Sequence, residues 1–328
     1  MEQNKNSNNQ SGQFVTVYKI ASAAMIIFLL IIGAMVFPLS FEVDGRYMIS
    51  SPAVIALYVA IGLAVVFALS SFLFFKGLTV SAPCTTTKRV TALLSAVASA
   101  VPFIYYIYSD VSAKIGVLFA EPGTLTAPYS GLDTLSTLIT VVSAISLICS
   151  LYLVIRQSKI AALIAGYSRV IFLALIITKL YLDFSVELNS PVKILVQFAA
   201  VAAMMATTAN IKPIVRKQKA AAFLSVEFLS ATLCLLCFAL FALEIAPHSA
   251  KYTADLVAFP IMLLAFGIES AVLLFTCRTS SHDEPIEISA VENETAVSED
   301  SDASSDAEEP SQLTESKEAA DTAETTDQ

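Results

Sequence analysis

Eight uninterrupted apolar stretches occupy this chain between residues 15 and 277, and they dictate the solvent in which it folds. A hydrocarbon core about 30 Å thick is crossed by roughly 20 apolar residues in a helix. The stretches lie near 15–37, 52–75, 90–108, 132–155, 160–182, 192–211, 221–245 and 254–277. They are continuous and lack the two-residue alternation of a barrel strand, so spanning helices are expected. Only 14% of the residues are charged, against about 25% in a soluble domain. The expected fold is an all-α, polytopic bundle of about eight spanning helices over 15–278.

Residues 1–14, rich in Asn, Gln and Ser, read as a flexible lead-in. The apolar run Ile20–Phe37 is too long for the core of a secretion signal, and no small-x-small cleavage site precedes Pro38, so it reads as a retained helix. Cys84, Cys149, Cys234, Cys237 and Cys277 form no disulfide framework. Cys234 and Cys237 make a C-x-x-C, but they sit among Leu and Phe in mid-stretch, where cysteine behaves as a small hydrophobe.

Charge orients the bundle. The chain carries −9 overall, yet residues 279–328 hold sixteen acidic groups and one Lys, which leaves +6 on the rest. Connections after the second, fourth and sixth stretches hold Lys76, Lys88 and Arg89; Arg156 and Lys159; and Lys212, Arg216, Lys217 and Lys219. The alternate connections hold Arg46, Lys114, Lys193 and Lys251, one each. Basic loops stay cytoplasmic, so both termini are expected there, in the cell membrane of a bacterium. Trp is absent, and Tyr18, Tyr105, Tyr106, Tyr108, Tyr181 and Tyr252 at stretch ends read as interfacial anchors.

From Thr279 the chain has no aromatic residue and is dominated by Ser, Thr, Ala, Asp and Glu. Such composition cannot offset chain entropy, so 279–328 is expected to be a disordered cytoplasmic tail. Its acidity suits a basic protein partner or the chain's own loop 212–219, but a plain solvated extension is the simpler reading. The sequon at Asn293 has no meaning on the cytoplasmic side.

Three ionisable residues lie well inside the apolar stretches rather than near their ends: Arg169 in the fifth, Glu227 in the seventh and Glu269 in the eighth. Counted from the basic ends at about 1.5 Å per residue, they lie at similar depth, so Arg169 is expected to meet one or both carboxylates. Intramembrane charges mark solute or ion pathways, or else fix helix register, or snorkel. A second cluster, Lys179, Asp183, Glu187 and Lys193, lies at the opposite end, where Lys179 and Asp183 are spaced to pair along one helix. Pro102 and Pro260 fall inside stretches and each remove a backbone donor. Residues 109–131 form the longest connection.

No phosphate-binding glycine loop, H-E-x-x-H or G-x-S-x-G is present. His248 and His282 are the only histidines. No catalytic set, metal site, cofactor or nucleic-acid surface is therefore expected, and an enzyme is disfavoured. The block from Tyr181 to Lys193, followed by an apolar stretch, resembles uncharacterised multi-pass membrane proteins of clostridia-like (Bacillota) bacteria over about 181–210. In that family an acidic residue and an Arg stand where this chain has Asn210 and Lys212. The resemblance implies the multi-pass fold and no activity. The function expected first is a non-enzymatic membrane scaffold or sensor-like protein; the alternative is a transporter or permease for a small solute or ion that uses the charges in the fifth, seventh and eighth stretches. A polar cavity reaching inward would favour the second, and a dry seam of small residues the first.

Overall fold

The computed structural model describes residues 2–40, 52–81, 83–118, 131–183, 191–215, 218–247 and 254–281. Eight helices run in chain order: α1 (Glu2–Ser40), α2 (Pro52–Phe74), α3 (Thr85–Leu118), α4 (Gly131–Ile155), α5 (Lys159–Leu182), α6 (Pro191–Val215), α7 (Ala220–Leu240) and α8 (Ala254–Thr276). All eight contain a segment long and apolar enough to cross a bilayer. The chain is a multi-pass helical membrane protein. Helix α1 extends back to Glu2, through the stretch expected to be a flexible lead-in. Extending a formed helix fixes one residue per hydrogen bond, so weak formers join it more readily than they would nucleate one. The connections 41–51, 119–130, 184–190 and 248–253, together with Glu187, Tyr252, His248, His282 and the acidic tail beyond Ser281, lie outside the described residues.

Six helices close into a ring in chain order: α3 packs on α4, α4 on α5, α5 on α6, α6 on α7, α7 on α8, and α8 returns to α3. Helices α1 and α2 pack on the outer side of α7. Close approach on one side of the ring depends on small residues. Ala199, Ala200 and Ala203 of α6 and Ala231 and Cys234 of α7 are fully buried. At Gly267 of α8, an added Cβ would lie 3.0 Å from Cys234 and 3.2 Å from Leu235. Such seams are the usual membrane device, because lipid gives apolar side chains no reason to leave it. The outward faces keep large apolar residues exposed, among them Leu73, Ile148 and Ile155.

At the Lys-rich end two short strands appear that hydropathy does not signal. Strand β1 (Leu78–Ser81) pairs antiparallel with β2 (Arg278–Ser281), with Val80 opposite Thr279. Thr279–Ser281, grouped with the tail by composition, thus belong to the folded part. Gly77, at φ 88°, supplies the left-handed turn that brings the chain from α2 into β1. Val80 N–H also donates to the Gln218 carbonyl at 3.0 Å, which ties the entry to α7 into the same patch. Lys19 Nζ donates to the carbonyls of Phe275 (3.1 Å) and Cys277 (2.6 Å), satisfying acceptors that the end of α8 leaves open.

Tyrosine placement departs from the sequence expectation. Tyr108 and Tyr181 are exposed, but Tyr18 and Tyr106 are buried. Tyr18 stacks on Phe67 with centroids 4.9 Å apart, and Phe67 meets Phe228 of α7 edge-on. Its ring therefore locks α1 and α2 onto α7 rather than marking an interface.

Candidate functional site

The charges on α5 and α8 come together inside the ring. Arg169 stands ten residues into α5, about 15 Å along its axis from Lys159. Its side chain does not snorkel. Nη1 donates to both carboxylate oxygens of Glu269, each at 2.9 Å, and to Ser95 Oγ of α3 at 2.7 Å. Ser95 Oγ in turn donates to Glu269 Oε1 at 3.0 Å. Arg169 and Glu269 are only 7% and 4% exposed. Three helices are thus joined by one charge-assisted knot, and charge-assisted bonds of this length are the strong kind. A polar thread continues behind it. Ser99 Oγ donates to the Ser95 carbonyl (2.8 Å) and lies 2.8 Å from Ser146 Oγ of α4, which reaches the Ala165 carbonyl of α5 at 3.4 Å.

The knot does not sit in dry packing. A cavity of about 430 Å³ is lined by Arg169, Glu269 and Ser95, by Asn210 of α6, and by Lys88 and Lys159 toward the Lys-rich end. Val80 and Cys277 bound it beside the strand pair. Gly166, one turn from Arg169, faces Ile211 of α6 so closely that an added Cβ would lie 2.5 Å from its side chain. The cavity wall therefore depends on a missing side chain.

Glu227 does not join Arg169. It is fully buried in α7, and neither carboxyl oxygen has a hydrogen-bond partner among the described residues. Ser270 and Asn210 are the polar side chains beside it. Ser270 Oγ donates to Ser230 Oγ at 2.9 Å. Buried carboxyls without partners are costly, so this one stands out from the satisfied pair next door.

At the Lys-poor end the expected i,i+4 pair does not form. Lys179 Nζ instead meets Asp255 of α8 at 2.9 Å, lies 4.3 Å above the Tyr106 ring, and donates to the Tyr106 hydroxyl at 3.2 Å. Tyr106 also donates to Asp255 at 3.4 Å. The cause is geometric: Asp183 has left the helix as the C-cap of α5, at φ −78° and ψ 101°. Lys193 Nζ donates to the Asp183 carbonyl at 2.5 Å and so pins the entry of α6 to the exit of α5. The sequence reading overlooked Asp255 and gave Tyr106 only an anchoring role, although Asp255 stands in the first turn of α8, where an acidic residue is favoured.

The five cysteines are free. No group of three or more metal-ligating side chains occurs among the described residues. Neither family models, nor curated proteins, nor solved structures give a match to this chain. Its function has to be read from the geometry.

Proposed function

We propose that the chain is a membrane carrier for a small polar solute, which enters the ring from the Lys-rich end and binds at Arg169 and Glu269. The observation that carries this reading is the cavity that ends on a desolvated ion pair. A scaffold needs neither the void nor the charges, and hydrophobic residues of similar volume often replace a buried ion pair with no loss of stability. The alanine and glycine seam on the α6–α7–α8 side is what a scaffold would show throughout; here it provides a rigid half against which α3, α4 and α5 pack. By the distribution of basic residues, the open end is cytoplasmic. The Lys179–Asp255–Tyr106 cluster ties α3, α5 and α8 at the far end and acts as the closed gate. Charged clusters at the two ends of one ring suit alternate opening, since each can break and re-form as a discrete contact.

The reading is tested by placing a thiol in the cavity. Ala162→Cys, in a background of Cys84→Ser with Cys277→Ser that leaves no native thiol at the cavity, is expected to react with a membrane-impermeant thiosulfonate from the Lys-rich side of sealed vesicles. Ile148→Cys, on the lipid-facing surface of α4, serves as the unreactive control. Equal inertness of the two positions would show that no water reaches the cavity and would end the carrier reading.

A further inference from the structure

The hydrogen-bonding state of Arg169 specifies the solute's chemistry. A guanidinium has five N–H donors in a fixed plane. Nη1 is saturated by Glu269 and Ser95. Nε has no acceptor and is enclosed. Nη2 makes no hydrogen bond among the described residues either, and it is not enclosed, in a side chain that lines the cavity. Nη2 therefore leaves two unspent donors on the one edge of the guanidinium that the cavity reaches, enough to hold an oxyanion, while Nε is shielded from any ligand. Glu269, in contrast, has both oxygens engaged on Nη1 and has little to offer a cation.

The lining agrees. Lys88, Lys159 and Arg169 face one acidic residue, Glu269. The N-terminal ends of α3 and α5 lie at the same mouth, which adds the positive pole of each helix. An anion gains at every step from the mouth to the guanidinium, whereas a cation is opposed until it reaches a carboxylate already paired. We infer that the cavity binds an oxyanion, a carboxylate or a phosphate group, on the free edge of Arg169, with Glu269 and Ser95 holding the guanidinium in orientation. The inference rests on the carrier reading and narrows its substrate class.

Free solutes and lipid headgroups can both present such a group, and two arms of one experiment separate them. Thermal unfolding of the full-length protein carrying Cys84→Ser, in lipid-free detergent, is followed with a thiol-reactive fluorophore, which then reports exposure of buried thiols such as Cys234 and Cys237. Inorganic phosphate and succinate are compared with tetramethylammonium chloride and glycine betaine at matched ionic strength; phosphatidylglycerol forms the second arm. Phosphate or succinate is expected to raise the midpoint by about 3 °C or more when well above its dissociation constant. Arg169→Lys keeps the charge opposite Glu269 but lacks the fork, and should abolish the shift. Lys88→Gln with Lys159→Gln, both at exposed positions, should weaken the apparent affinity several-fold without removing it. A shift with phosphatidylglycerol alone, lost in Arg169→Lys, assigns the oxyanion to a headgroup. A shift with betaine or tetramethylammonium and none with the oxyanions overturns the inference, as does an oxyanion shift that survives Arg169→Lys. No shift with any probe, in a protein whose Ala162→Cys is labelled, also overturns it while leaving the cavity standing. An unlabelled Ala162→Cys defeats the carrier reading itself.

Discussion

At Arg169 and Glu269, structural and functional roles come apart under substitution. Glu269→Gln leaves a guanidinium buried without its counter-charge and should lower stability by about 3 kcal/mol in a denaturation series. Arg169→Leu combined with Glu269→Leu removes both charges and should regain most of that loss, while oxyanion stabilisation stays absent. A double variant as unstable as the single one would mean that the pair contributes through more than its charge balance. Cys84 offers a pH-dependent check at the surface beside the cavity. Its Sγ lies 3.1 Å from Thr87 Oγ1, and that hydrogen bond pushes the thiol below its usual range. A lower value means more thiolate at a given pH, so alkylation of Cys84 should proceed at lower pH than for an ordinary exposed thiol. Thr87→Val should move the pH–rate profile upward. An unchanged profile would assign the effect elsewhere.

The two charged residues of the knot were visible in the sequence because ionisable groups are rare in apolar stretches, and their equal depth followed from counting; Ser95 was not, because a serine in a spanning helix carries no such signal. Sequence spacing left the partners of Glu227 open. Depth alone does not give the rotation of a helix about its axis, and in the structure neither carboxyl oxygen of Glu227 reaches a hydrogen-bond partner among the described residues. Lys179 shows the same limit. Its neighbour at i+4 was evident, but α5 ends before Asp183, and the better partner came from a helix 76 residues later.

Among the elements, the number and place of the spanning helices were legible but not all of their ends: α3 (Thr85–Leu118) runs ten residues past its apolar stretch into the connection expected at 109–131, and α1 begins at Glu2. Hydrocarbon thickness sets their length, and the backbone leaves no alternative to a helix in lipid. Pro191 begins α6 as its fixed φ favours. The strand pair was not legible, since four polar-to-mixed residues in each of two distant segments carry no periodic signal. It nonetheless braces the Lys-rich end beside the cavity mouth, where Lys19 holds the end of α8. Val80→Pro removes the donor to the Gln218 carbonyl and disrupts the ladder, with a cost of about 3 kcal/mol in this setting. Hydrogen exchange should then rise in Leu78–Ser81 and Arg278–Ser281 and stay unchanged in α3 and α4. A change spread over all helices would mean that the strands support the whole bundle. Gly166→Val should force Ile211 to yield and narrow the cavity, which slows labelling of Ala162→Cys more than it lowers the unfolding midpoint.

For the whole molecule, the six-helix ring places one charged cluster near the Lys-rich opening and another at the opposite end. The number and order of helices followed from the sequence; closure of α8 onto α3 did not, because hydropathy contains no pairing information. A carrier must sometimes open the ring at the Lys179–Asp255–Tyr106 end. Ile176 of α5 is fully buried and stands about 10 Å beyond Arg169 along the helix, between the knot and Lys179. Ile176→Cys in a background of Cys84→Ser with Cys277→Ser, labelled from each side of sealed vesicles with an impermeant thiosulfonate, reports opening whatever the solute is. Slow but measurable labelling from the Lys-poor side, several-fold faster when Asp255→Asn weakens the gate, is the result the carrier account predicts. Complete inertness from the Lys-poor side with and without Asp255→Asn, while Ala162→Cys reacts from the Lys-rich side, would contradict it.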